Sequence, residues 1–346
     1  MSVHGRLLVV NYALDSKDAL LSHQLEAVAA LAKNFNSVTV ITGRVGSYDP
    51  ITNVKVVNTN WEPGKRFLSI SRLLFKSLPI IVHGKFESVF FHMTDLQCAV
   101  LSPFFRIRGK KQIFWYAHTK KSFFMWWSSK WVNSIVTSTQ GSCPLQGRKV
   151  ITIGQAIDEN RFTEIPLEKL NLSKLIHIGR FDKSKNIELL IEQATALRSE
   201  FKEISLTLVG SPANQESRIW AEKLIHSHRD EVEKGWLKFS ESIARSEVPS
   251  TIAKHGCFFH SYLGSLDKTL IESTMMRVPV ISTNPEYTAI FGTWSLKVRP
   301  NLADEYRSLM KLSKDEIDEK LKERRLIATK SHSLGNWTKQ LSHLLA

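Results

Sequence analysis

Leu7-Leu-Val-Val-Asn11 is a run of branched apolar residues that gives way to polar positions through Asp18, the pattern of a buried strand running out into a loop. The period then changes. From Leu21 to Asn34, with Leu25, Val28, Ala29, Ala32 and Phe35 on one face, the spacing predicts a helix. Further short apolar runs at 38–42, 54–57, 89–92, 112–117, 134–137 and 150–153 read as strands. Strands alternating with helical segments predict an α/β fold built on a parallel sheet wound on both faces.

The pattern breaks near Pro166 to Ser173 and restarts. Strands are predicted at 175–178, 205–209, 237–239 and 257–260, with helices at 187–197, 216–231 and 246–255 and a last one from Leu334 to Ala346. A chain of 346 residues exceeds one ordinary core. Two Rossmann-like, doubly wound domains facing each other across a cleft are expected. Residues 1–165 would form the first and 166–330 the second, with 331–346 a closing helix packing back toward the first.

Composition changes the picture little; charge changes it more. The hydrophobic and charged fractions are those of a soluble globular protein. Cys98, Cys143 and Cys257 are odd in number and far apart, which fits neither a disulfide framework nor a zinc site and points to a reducing, cytoplasmic setting. The apolar run after Arg6 is too short for a signal peptide, and no window is long enough to span a membrane. Residues 1–150 hold 19 Lys/Arg against 7 Asp/Glu, and residues 101–150 hold nine Lys/Arg and no acid. Such a one-sided field draws in something anionic.

Two strand–loop–helix segments carry the candidate chemistry. Lys174-Leu-Ile-His-Ile-Gly-Arg-Phe-Asp-Lys-Ser-Lys-Asn186 puts Arg180 and Lys185 on a loop where a helix is about to start. Ser261-Tyr-Leu-Gly-Ser-Leu-Asp-Lys-Thr-Leu-Ile-Glu272 puts Asp267 and Glu272 around another helix start, followed by Val278-Pro-Val-Ile-Ser-Thr283. Cations at a helix N-terminus suit a diphosphate, and a nearby carboxylate suits the hydroxyls of a ribose. Each residue also has a bland reading, as a solvated cation or a routine helix carboxylate. Lys268 is a further candidate phosphate contact. Gly210, opening Gly-Ser-Pro212 after a strand, is either a tight turn or a contact to base or phosphate. His118 follows apolar Phe114-Trp-Tyr-Ala117 at a strand end, where open α/β sheets put ligands. His23, His92 and His260 share some of that logic.

On these residues the chain resembles glycosyltransferase family 4, retaining enzymes of the two-domain GT-B fold, most strongly from Leu175 to Thr283. The resemblance implies that Gly179, Arg180 and Lys185 hold the donor diphosphate, that Glu272 binds the ribose, and that His118 faces the reacting sugar. Gly154-Gln-Ala-Ile-Asp158, with Phe162 beyond, resembles the family's passage between domains. Three departures stand out. Gly264 occupies the place of the family's first Glu, which normally touches the donor sugar; Arg277 replaces a small Gly; and 11–21 lacks the usual Gly-Gly pair.

The implied reaction is transfer of a sugar from a nucleoside diphosphate to a hydroxyl of a glycan or lipid-linked acceptor. With no Asp-x-Asp triplet, neither a metal nor another cofactor is expected, and the nucleotide-sugar is a co-substrate. Residues 64–86 and 120–131 mix Lys, Arg, Phe and Trp, so a core-facing helix with a solvated basic face competes with an element lying on anionic lipid at the cytoplasmic face. No recognised nucleic-acid module is present, and no nucleic-acid partner is expected. The alternatives are a catalytically impaired paralogue that binds nucleotide-sugar or serves in an assembly, a nucleic-acid binder suggested by the basic, Trp-rich first half, which salt-sensitive binding would reveal, and an epimerase of the same fold.

Overall fold

The computed structural model describes residues 4–18 and 21–346. Residues 1–3, ahead of the first predicted strand, lie outside the described residues, as do Ala19 and Leu20. The chain divides into two compact units, Met1–Ala156 with Ser331–Ala346, and Ile157–Lys330.

The first unit runs β1 (His4–Leu14), α1 (Ser22–Ala32), β2 (Phe35–Val45), β3 (Val54–Asn58), α2 (Arg66–His83), β4 (Ser88–His92), α3 (Asp95–Ile107), β5 (Lys111–Trp115), α4 (Phe123–Trp131), β6 (Ser134–Thr137) and β7 (Val150–Thr152). Its sheet has the order β3-β2-β1-β4-β5-β6-β7, and the pairings are parallel. Because both faces are covered, the strands are apolar without alternation. Successive residues serve opposite faces. Val9, Phe90 and Trp115 pack toward α1, whereas Val10, Phe91 and Phe114 pack with Leu73 of α2, Cys98 and Phe105 of α3 and Met125 of α4. β1 is longer than its apolar run because it pairs with β2 as far as Leu14 and Val45.

The second unit runs β8 (Lys174–Ile178), α5 (Ile187–Arg198), β9 (Ser205–Val209), α6 (Gln215–Ser227), α7 (Arg229–Glu233), β10 (Leu237–Ser240), α8 (Val248–Ile252), β11 (Cys257–His260), α9 (Lys268–Met275), β12 (Val280–Ser282), α10 (Pro285–Phe291), α11 (Leu302–Met310) and α12 (Lys314–His332). The strand order is β10-β9-β8-β11-β12, again parallel. The chain returns to the first unit at the end of α12 and closes with α13 (Leu334–Leu345).

Three predicted boundaries move. The second unit starts at Ile157, not 166, because Ile157 and Phe162 are buried in its core. The single helix predicted at 216–231 is two, breaking at His228. Its apolar stripe ends at buried Leu224, and α7 has no buried residue to hold it in line. The helix predicted at 246–255 is a 3₁₀ turn, Arg245–Glu247, followed by α8. Pro249 lacks an N–H and so fits a first helical turn better than an interior.

Trp337 of α13 is the largest buried side chain of the returning segment, with its ring 5.6 Å from Trp115 and 5.9 Å from Phe90 between centroids. Trp337→Ala should cost about 3–5 kcal/mol and lower the denaturant midpoint at unchanged slope. A midpoint equal to wild type would show that the segment is not part of the first unit's cooperative core.

Candidate active site

In the second sheet the chain leaves β8 toward β9 on one side and reaches β11 on the other, so β8 and β11 flank the point where the strand order reverses. Ligands of open α/β sheets bind outside the carboxyl ends of such a pair. The loops there are 179–186 after β8 and 261–267 after β11, the two segments singled out by sequence.

Two glycines let the first loop pass close to its neighbour. A Cβ on Gly210 would lie 1.8 Å from the Gly179 carbonyl oxygen, and one on Gly179 would lie 2.7 Å from His177 Nε2. The Gly179 N–H donates to the Val209 carbonyl at 3.0 Å, extending the β8–β9 ladder into the loop. Asp182 then caps the turn 183–185 by accepting from the Ser184 N–H at 2.9 Å. Asn186 takes up the left-handed conformation, φ 51°, before α5 begins, a conformation Asn tolerates better than most residues. The Ser261 hydroxyl, from the second loop, donates to the Lys185 and Asn186 carbonyls at 2.7 and 3.0 Å, tying the loops together.

This architecture buries Lys185. Its ammonium donates to Asp267 Oδ2 at 2.5 Å and lies 3.8 Å from the centroid of the Tyr262 ring. His260, fully buried at the end of β11, meets the same Asp267 oxygen through Nε2 at 3.1 Å, while its Nδ1 lies 3.1 Å from the Ser282 hydroxyl. Burial keeps the His260 imidazole neutral by lowering its pKa. The consistent arrangement has Nε2–H donating to Asp267 and the Ser282 hydroxyl donating to Nδ1. Burial by itself would raise the Asp267 carboxyl. The His260 hydrogen bond and the Lys185 charge outweigh it and hold the group well below the usual carboxylate range. Beneath His260, at 5.9 Å between ring centroids, His177 donates from Nδ1 to the Phe259 carbonyl at 3.0 Å. Its burial, aided by His260, pushes its pKa down to about 3.

Arg180 behaves differently. Its side chain is half exposed, and its Nε lies 3.6 Å from Asp182 Oδ2. The site therefore offers one fixed and one mobile cation, each with a carboxylate beside it. Lys268 opens α9, with Asp267 as its N-cap residue. Glu272, the candidate ribose ligand, lies on α9. It is fully buried and ion-paired with Arg245, whose guanidinium lies 5.3 Å from the Phe162 ring. Arg277 stands at φ 61°, where the absent glycine would be at ease, and is held by ion pairs with Asp318 and Glu164.

The structure thus gathers Gly179, Arg180, Lys185, Gly210, Asp267 and Lys268 around the switch point, with Glu272 one helical turn beyond Lys268. His118 belongs to the other unit. There it is exposed, and its Nδ1 accepts from the Lys120 N–H at 3.0 Å, which places the hydrogen of a neutral ring on Nε2. Sequence reasoning missed Arg245, Tyr262 and His177. His177 had a signal, as a polar residue inside an apolar strand. Arg245, on an irregular turn, had none.

Residues 158–292, which include this switch point, match the family described as glycosyl transferases group 1. The match covers most of the second unit. No curated protein matches the chain in sequence. Among solved structures, Anabaena Alr3699/HepE in complex with UDP and glucose is 12% identical, with 98% of each chain covered and a TM-score of 0.74. Sucrose-phosphate synthase from Thermosynechococcus elongatus is 12% identical, with 99% of this chain and 98% of that one covered, at 0.74. A glycosyltransferase from Rickettsia africae ESF-5 is 12% identical, with 100% and 98% covered, at 0.72. The architecture is the GT-B fold, and together with the family match it supports a glycosyltransferase.

The buried imidazoles set the acid response. As pH falls below about 6.5, the unfolded chain binds protons that buried His177, His260 and His332 refuse, and each group removes up to about 1.4 kcal/mol of stability per pH unit. For His177 that loss continues to about pH 3. Asp267, with its pKa depressed, adds a loss only below about pH 4, where unfolded carboxylates take up protons. Melting temperature followed from pH 7 to 4 should fall, and His177→Gln should flatten the slope. A slope unchanged in that variant would mean that His177 is protonated in the fold.

Proposed function

We propose that the protein is a retaining, metal-independent hexosyltransferase of glycosyltransferase family 4. It moves a sugar from a nucleoside-diphosphate-sugar to a hydroxyl of a glycan or lipid-linked acceptor, in the cytoplasm and peripherally at the membrane. The observation that carries this reading is the pair of cations, Arg180 and Lys185, on the loop after β8 beside the start of α9. Breaking the sugar–phosphate bond leaves negative charge on the diphosphate, and fixed cations with helix N–H groups stabilise it. Lys185 is pre-positioned by Asp267 and Tyr262, so little ordering remains to be done on binding. Arg180 can swing from Asp182 to the phosphates. Gly179 and Gly210 leave the backbone open to close approach. Glu272, released in part from Arg245, would hold the ribose. His118 would orient the sugar or meet the departing phosphate; it is not the nucleophile. UDP-sugars are the first donors to try, because the HepE structures hold UDP and UDP-glucose.

One observation favours a second reading, a paralogue that binds donor without turnover. Gly264 stands where the family's first Glu is expected, and a Cβ there would lie 2.0 Å from the Tyr262 hydroxyl. Tyr262, seated on Lys185, fills the space a longer side chain would need. A phenol in place of a carboxylate changes what the donor sugar meets, so the difference lies in sugar choice or in catalysis.

A thermal-shift series with UDP-, GDP-, ADP- and TDP-sugars separates these. A donor at a hundred times its Kd adds about 2.7 kcal/mol of stability. One donor should shift the wild type, and Arg180→Ala and Lys185→Ala should abolish the shift. The shifting donor should also lose its sugar when acceptor glycans or lipid-linked acceptors are added. A shift without turnover would favour the paralogue, and no shift with any donor would overturn donor binding itself.

A further inference from the structure

The helices α2, α3 and α4 cover one face of the first sheet, where Leu73, Phe105 and Met125 join the same core. The three are tied in sequence. Arg108, just past α3, donates to the Val82 carbonyl of α2 at 2.9 Å, and Trp127 of α4 donates from its indole to the Ala99 carbonyl of α3 at 3.1 Å. Their outer sides therefore form one layer facing away from the sheet. That layer is unusually apolar for a surface. Phe67 is 90% exposed, Phe75 79%, Ile107 81% and Phe123 68%, with Trp126 also exposed.

On α2, at about 100° per residue, the exposed positions 67, 68, 75, 78 and 82 fall within one arc of about 100°. The buried positions Ser69, Leu73, Ser77 and Ile81 occupy the opposite side. The apolar stripe is thus built into the helix as a second face and is not leftover core. Cations border it. Lys76, Arg106 and Lys130 are exposed on these helices, with Lys121 exposed just ahead of α4, and the Lys130 ammonium lies 5.1 Å from the Trp126 ring centroid. Carboxylates are few on this layer, and two of them are already engaged. Glu62 is paired with Lys65 and Arg72, and Asp95 accepts from the Ser122 hydroxyl.

We propose that the outer layer of α2, α3 and α4 is a docking surface for an anionic lipid bilayer. Phe67, Phe75 and Ile107 would enter the acyl boundary, Trp126 would lie at headgroup level, and the cations would meet the phosphates. Charge complementarity selects this occupant. A second copy would bring the same cations against themselves. Nucleic acid would find cations but little use for the exposed aliphatic Ile107, Leu78 and Val82, which do not stack with bases. The surface deepens the transferase reading, on which the lipid-linked acceptor rests, yet it stands on the first unit alone. No described helix is long and apolar enough to cross a membrane, so the contact is peripheral.

Sedimentation of the full chain with vesicles tests it. Vesicles of phosphatidylcholine with phosphatidylglycerol should bind the protein, vesicles of phosphatidylcholine alone should not, and high salt should weaken the interaction. The double variant Phe75→Ser/Ile107→Ser and the double variant Lys76→Glu/Lys121→Glu should each lower binding by about tenfold or more. Leu326→Ser, an exposed apolar position of the other unit, should leave it unchanged. Donor-induced thermal shifts, recorded on every variant, should persist, so that failure of docking and failure of the donor reading are told apart. Equal binding to neutral vesicles, or full binding by the serine variant, would overturn the proposal. So would a dimer, or salt-sensitive binding to single-stranded nucleic acid, lost in the same variants while no vesicle binds.

Discussion

A lysine buried in the loop beyond a central strand would carry a large desolvation cost if left unpaired. Lys185 is tolerated because Asp267 reaches it at 2.5 Å and the Tyr262 ring covers it at 3.8 Å. Asp267 is in turn held by His260, and His260 by Ser282 of the next strand. The chain of contacts joins the ends of β8, β11 and β12, so the charge at the switch point and the register of the sheet support one another. Removing one member would leave another buried and unpartnered. This is why the network carries both the geometry of the site and its response to acid.

The same constraint explains the contrast between the two cations. Lys185 is fixed before any ligand arrives, which lowers the ordering cost of binding an anion. Arg180, half exposed beside Asp182, is the less constrained of the two. A diphosphate reaching this loop would meet a rigid charge and a mobile one, and would compete with two carboxylates for them. The pairing of Arg245 with Glu272 repeats the theme one helical turn beyond Lys268.

Much of the fold was legible in the chain. Parallel strands buried on both faces read as continuous apolar runs, so β4, β6, β9 and β11 were placed within a residue of their ends. Helix limits were less legible where the apolar stripe stopped early, at Leu224, or where Pro249 reset the start. Of the site, the loop residues Gly179, Arg180 and Lys185 and the α9 start at Asp267 and Lys268 could be named, because a cation between a buried strand and a new helix is a local pattern. The partner of Glu272 could not be. Arg245 lies 27 positions away in sequence, on a turn with no periodicity.

By itself, then, the amino-acid order determined the strand–helix alternation, the two-unit plan, the basic bias of the first half and the loops that carry charge. These are local properties, set by spacing and residue type. The tertiary structure alone decided which charges face each other, that His177 and His260 lie side by side beneath the site, that Tyr262 occupies the space beside Gly264, and that the exposed stripes of α2, α3 and α4 share one layer. Each of those depends on which strands are neighbours in the sheet. Neighbourhood between segments far apart in sequence follows from the packing of the whole unit, and no local pattern encodes it.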